Sequence, residues 1–171
     1  MRPRAPRRSA LSIDVLVESP QWSDLPEAPA AVRKAIAAAA REISSPGGEV
    51  AVMLTSDAAL RRLNRKWRRI DKPTNVLSFP ALQPTGTPSP DDAPRMLGDI
   101  AIAYETMRRE ADDEQKPFDH HLSHLAIHGF LHLIGFDHET DQEAEEMEAL
   151  ERKILAQLGI PDPYAPQQRT T

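Results

Sequence analysis

His128-Gly129-Phe130-Leu131-His132-Leu133-Ile134-Gly135-Phe136-Asp137-His138 is the stretch on which the reading of this 171-residue chain turns. Its spacing is H-x-x-x-H-x-x-G-x-x-H. Histidines four apart on a helix lie on one face, one turn apart, so both imidazoles can reach one ion. Gly135 is placed to end that helix, because glycine adopts the left-handed conformation without a steric penalty. The chain can then reverse and bring His138 back to the first two. Three neutral imidazoles with a vacant fourth position make a catalytic metal site rather than a closed structural one. A lone histidine on an apolar helix is usually a hydrogen-bonded core or surface residue. Three at this spacing, with a glycine at the turn, carry their own geometry.

The same spacing occurs in metzincin proteases, where a Glu follows the first His and serves as general base. Here that position is Gly129. Asp137 and Glu139 are near in sequence but do not occupy that helical slot. The motif therefore predicts a metal-dependent hydrolase that does not cut peptides by the Glu-assisted route.

Around the motif, residues 118–134 are apolar nearly all round (Leu122, Leu125, Ile127, Phe130, Leu131, Leu133, Ile134), which predicts a central buried helix whose metal face opens into a cleft. His120 and His124 continue the stripe at four-residue steps; they either line the entrance to the site or, the preferred reading, are polar residues on exposed first turns, since a catalytic zinc needs only three protein ligands. His121 points elsewhere by helical geometry and receives no role.

The length suits one domain with a proper core. There is no cysteine, which excludes disulfides, thiolate ligands and a cysteine nucleophile, and fits a reducing compartment. No apolar run approaches a membrane span, and LSIDVLVESP after the basic start carries Asp14 and Glu18, so it reads as a strand rather than a signal core. The expected location is the cytoplasm.

The net charge of −5 argues against a nucleic-acid partner, but its distribution is uneven. Residues 61–72, RRLNRKWRRIDK, hold seven Lys/Arg against one acid, whereas residues 137–151 hold eight Asp/Glu and no Lys or Arg. A local basic surface can bind phosphate while the acidic end sets the bulk charge. The alternative for either run is a solvated helix face. Within the basic run, Arg68 offers a planar fork of donors that matches a pair of phosphate oxygens. Trp67 beside it is either core, the preferred reading, or a stacking surface. Thr74, Asn75 and Ser78 either face the cleft or make ordinary turn and strand-edge hydrogen bonds.

In chain order, residues 1–10 are Pro- and Arg-rich with nothing to bury and read as a disordered basic tail. Leu11, Ile13, Val15 and Val17 alternate with polar neighbours as in a half-buried strand. Pro20 and Pro26 bracket a loop. A helix over 28–43 is followed by strand 49–55, helix 57–67 capped by Thr55 or Ser56, and a strand through Val76, Leu77 and Phe79 stopped by Pro80. Residues 81–97 form a long proline-rich loop before strand 98–103. Helices over about 104–115, 118–134 and 141–158 follow, the last with Met147, Leu150, Ile154 and Leu158 inward. The expected fold class is α+β, a small mixed four-stranded sheet packed with about five helices. A single metallohydrolase domain spans 11–164, and 165–171 form a C-terminal tail.

Three stretches, LNRKWRRIDKPTNVLSFP (63–80), LGDIAIA (97–103) and HGFLHLIGFDH (128–138), resemble in this order the motifs of the YbeY family of bacterial rRNA-maturation endoribonucleases. DQEAEEMEALE (141–151) and GIPDPY (159–164) are similar to that family's C-terminal end. The resemblance covers about residues 11–164. It implies one zinc-type ion (Zn2+) per chain held by His128, His132 and His138, with His128 and Arg68 in functional roles. It implies single-strand-specific cleavage of RNA in 16S rRNA 3′-end maturation and ribosome quality control, in association with the ribosome or its small subunit. Neither DNA nor a membrane is an expected partner. Trp67 stands where Tyr is common in that family, and Asn75 where Asp is common. Two other readings remain at this point: a metallohydrolase of peptides or small molecules, and a non-catalytic ribosome-assembly factor whose metal only stabilises the fold.

Overall fold

The computed structural model describes residues 11–45, 47–68, 74–81 and 96–165, the side chains of Trp67 and Arg68 excepted. The basic tail 1–10, most of the 81–97 loop and residues 166–171 lie outside the described residues.

Four strands, β1 (Ser12–Val17), β2 (Glu49–Thr55), β3 (Val76–Pro80) and β4 (Met96–Ala103), form one sheet in the order β1-β2-β4-β3. β1 runs parallel to β2 and β2 parallel to β4, while β3 is antiparallel to β4 at the far edge. Among the described residues five α-helices surround it: α1 (Ala28–Glu42), α2 (Asp57–Arg68), α3 (Tyr104–Asp113), α4 (Phe118–Leu133) and α5 (Asp141–Gln157). This is the expected mixed sheet with five helices. β4 begins at Met96, two residues earlier than the apolar run suggests, because Gly98 and Leu97 still pair alongside the end of β3. Pro80 is the last residue of β3, a position an edge strand tolerates because its missing N–H breaks no ladder.

The sheet separates two cores. Ile100 and Ile102 on β4 point into the large core, with Ile36 of α1, Ile127, Phe130 and Leu131 of α4 and Ile154 of α5. Their alternates, Ala101 and Ala103, point the other way, where Leu60 and Leu77 complete a small cluster under α2. Each fully buried Ile, Leu or Phe contributes roughly 1.5–3 kcal/mol. α4 touches α1, α3, α5, β3 and β4, so it is the central buried helix expected from its composition.

Two expectations needed correction. Val17, read as inward, is 51% exposed, and Leu16 beside it 53%. β1 is an edge strand, of which Ile13 and Val15 pack against the core while Val17 does not. The Pro20–Pro26 segment is not a bare loop but a short 3-10 turn, Pro20–Asp24, that buries Trp22. The indole N–H donates to the Thr55 carbonyl at 2.9 Å, and Tyr104 packs edge-on against its ring. Ser56 caps α2 by accepting from the Ala59 N–H at 3.2 Å, as read from the sequence. Among the described residues no helix is long and apolar enough to cross a membrane.

Candidate metal centre and its cleft

The site begins with the way α4 stops. The Gly135 N–H donates to the His132 carbonyl and the Phe136 N–H to the Leu131 carbonyl, at 3.1 and 3.0 Å. With Gly135 at φ +106°, this pair of bonds is a Schellman reversal. It folds residues 136–138 back over the end of the helix. The ring centres of His128, His132 and His138 then lie 4.7, 5.6 and 4.9 Å from one another. One ligand atom from each ring falls within 4.8 Å of the other two. Nitrogens around a tetrahedral ion at about 2.0–2.1 Å stand roughly 3.4 Å apart, so a small closure of the rings would hold such an ion. Burial first, and then the neighbouring His128 and His138, lower the pKa of His132. A neutral ring is the form that ligates.

The three histidines border a largely polar cleft of about 670 Å³, whose other side is the open edge of β3. Thr74, Asn75, Ser78, Asp137 and Glu139 line it. Ser78 belongs both to the cleft and to the frame. Its hydroxyl donates to the Gly129 carbonyl at 2.8 Å and ties β3 to α4. A Cβ on Gly129 would lie 3.0 Å from Ile100 Cγ2, 3.2 Å from Ser78 Oγ and 3.3 Å from Val76 Cγ2. The slot that holds the protease Glu is here the contact between α4 and the sheet.

Asn75 is held by a neighbour: its Nδ2 donates to both oxygens of Glu110, at 3.0 and 3.2 Å. His121, given no role from sequence, is buried and sets Nε2 3.5 Å from the same carboxylate. Burial would raise the Glu110 pKa, but the hydrogen bonds from His121 and Asn75 outweigh it and lower it.

His124 is the main correction. Its side chain is not on an exposed turn but 13% exposed, with Nε2 2.9 Å from Glu151 Oε2. Glu151, on α5, is fully buried and places Oε1 2.6 Å from Nδ1 of His128. The Tyr164 hydroxyl donates to Glu151 Oε2 as well. Burial alone would raise the pKa of Glu151. The hydrogen bonds from His124 and His128, the nearby His124 charge and Tyr164 outweigh it and hold the carboxyl at about 2. Sequence reasoning missed Glu151 because it sits among eight acids. The signal was its place three residues before Ile154 and four after Met147, on the buried face of α5.

Arg68 closes α2, but its side chain lies outside what the structure describes, as does that of Trp67. The exposed part of the basic run includes Arg61, Arg62, Arg65 and Lys66 on α2.

A sheet-backed α+β domain with three histidines converging at the mouth of a polar cleft defines a candidate metal-dependent hydrolase. Comparison with known proteins narrows the class. The sequence model of the endoribonuclease YbeY family matches residues 17–159, so the chain belongs to the YbeY endoribonuclease family. It is 70% identical over 158 residues to the endoribonuclease YbeY of Nitrobacter hamburgensis, covering 91% of this chain and 83% of that protein. It is 65% identical over 166 residues to that of a Bradyrhizobium species, covering 96% and 98%. The solution structure of TM1509 from Thermotoga maritima shares the fold, with a TM-score of 0.52 and 22% identity over 93% of this chain and 99% of that one.

Proposed function

We propose that this chain is a zinc-dependent, single-strand-specific endoribonuclease that acts in 16S rRNA 3′-end maturation and ribosome quality control, in the cytoplasm and in contact with the ribosomal small subunit. The observation that carries the reading is the histidine triad opening onto a polar cleft in a chain of this family. Three imidazoles with an open position suit zinc, one ion per chain. An ion held there supplies Lewis-acid chemistry toward a phosphate oxygen and a nucleophile at neutral pH.

The chain's own residues do the rest. His128, His132 and His138 would hold the ion at the cleft wall. Arg68 clamps a non-bridging phosphate oxygen with its planar fork and stabilises the charge that builds there. The exposed arginines of α2 attract the strand as a whole. A strand must bend into the cleft to bring one phosphate to the histidines, which an intact duplex resists.

Two observations weigh against the other readings. The protease Glu position is Gly129, where even a Cβ would crowd Ile100 and Val76 at 3.0 and 3.3 Å, so the peptide route lacks its base. The triad borders an open cleft, whereas a metal serving only the fold would be closed in.

The test compares labelled single-stranded RNA, duplex RNA and casein as substrates. Wild type, His128→Ala and Arg68→Ala are prepared identically. Cleavage confined to single-stranded RNA, lost in both variants and weakening steeply with salt, is expected. RNA cleavage that persists at full rate in both variants marks a contaminant. Casein cleavage that disappears with His128 moves the assignment to a protease.

A further inference from the structure

The hydrogen bond behind His128 does more than fill the core. An ionised carboxylate only accepts hydrogen bonds, so Glu151 Oε1, at 2.6 Å, requires the proton of His128 on Nδ1. A neutral imidazole carries one ring proton. The lone pair of His128 is therefore on Nε2, the nitrogen left free to bind an ion. The other oxygen of Glu151 is occupied twice, by His124 Nε2 at 2.9 Å and by the Tyr164 hydroxyl. The carboxylate cannot rotate away without breaking these bonds.

Tyr164 itself is pinned from outside the metal centre. Its backbone N–H donates to Asp162 Oδ1 at 2.8 Å, and the Arg152 guanidinium lies 5.3 Å from its ring centre. Arg152 Nε also reaches Asp162 Oδ1 at 3.3 Å, and Lys116 Nζ donates to the Pro163 carbonyl at 2.9 Å. The segment after α5 is thus fastened to the α3–α4 connection, to α4 and to α5, with its tyrosine on the buried acid.

We propose that Glu151 is a positioning residue for the metal centre, fixing the tautomer and orientation of His128, and that Tyr164 and His124 hold it in place. The inference rests on the metal reading of His128, His132 and His138. Carboxylates that take the second ring proton of a ligating histidine raise its basicity, and their loss weakens metal affinity by about 10- to 100-fold.

The experiment uses the full chain, stripped with a chelator and titrated with Zn2+ against a competing indicator. Wild type, Glu151→Gln, Tyr164→Phe and the exposed control Glu145→Gln are compared, and each metal-free protein is checked by circular dichroism. Glu151→Gln should bind Zn2+ about 10- to 100-fold more weakly while remaining folded. Tyr164→Phe should show a smaller loss and the control none. Should Glu151→Gln unfold without metal, Tyr164→Phe carries the test, since it leaves the charge in place. Wild-type affinity in a folded Glu151→Gln or Tyr164→Phe protein would overturn the corresponding role and leave the metal reading standing. No uptake by wild type would overturn the metal reading and this proposal with it.

Discussion

The Ser78 hydroxyl donates to the Gly129 carbonyl at 2.8 Å, joining the strand that forms one wall of the cleft to the helix that forms the other. That contact exists because residue 129 has no side chain. Gly129→Ala would place a methyl 3.0–3.3 Å from Ile100, Ser78 and Val76. Overpacking of this kind destabilises by roughly 1–3 kcal/mol, more than the gain in helix propensity over glycine. Urea denaturation of metal-free protein measures it. An Ala variant as stable as wild type would show that β3 is free to shift.

Metal content gives the next expectation. Protein purified without chelator should carry about one zinc-like ion per chain, lost on change to Ala at His128, His132 or His138. Ligating imidazoles must be neutral. Protons therefore compete as pH falls, and release should occur below about pH 5–6. Elemental analysis against pH follows it; protein that takes up no metal at pH 7.5 would contradict the site.

Arg68→Ala should lower RNA cleavage by about 100-fold or more, as removal of a donor to developing charge does, with fold and metal content intact. Arg68→Lys should recover only part, because a point charge does not reproduce the fork. Single-turnover rates and zinc analysis on the same preparations decide it. If the Ala protein unfolds or loses zinc, Arg68 is structural.

Acid should expose Glu151. Its pKa in the fold is about 2, against 4.5 for the free group. A carboxyl depressed on folding adds stability that is complete above the unfolded value and is lost as pH falls through the folded one. Metal-free wild type should therefore lose on the order of 3 kcal/mol more than Glu151→Gln between pH 5 and pH 2. Denaturation curves at these two pH values give the comparison, and parallel losses in both proteins would show that the carboxyl is not depressed.

The histidine triad was legible because its geometry is local. Four-residue spacing fixes a helix face, and a glycine three positions on fixes a reversal, with no knowledge of the rest of the chain. The mixed sheet and central helix were legible for a similar reason, since apolar periodicity marks which face is covered. Glu151 was hidden because its importance comes from α4, more than twenty residues away, and nothing in a run of acids says which one is buried. His124 was misjudged with it, for its partner is that same acid. Val17 was misplaced because alternation tells which residues share a face but not how far along the strand that face is covered.

The two glycines of the motif differ in kind. At Gly129 the constraint is volume: the backbone is ordinary helix, and the neighbours at 3.0–3.3 Å leave a side chain little room. At Gly135 a Cβ would meet nothing within 4 Å, yet φ is +106°. There the constraint is handedness. L-residues rarely adopt that φ, so a side chain there strains the turn whatever the space around it, whereas a D-residue introduced by semisynthesis prefers that sign of φ. The third histidine of the triad, His138, is therefore delivered by a residue chosen for the sign of one backbone angle and not for its size.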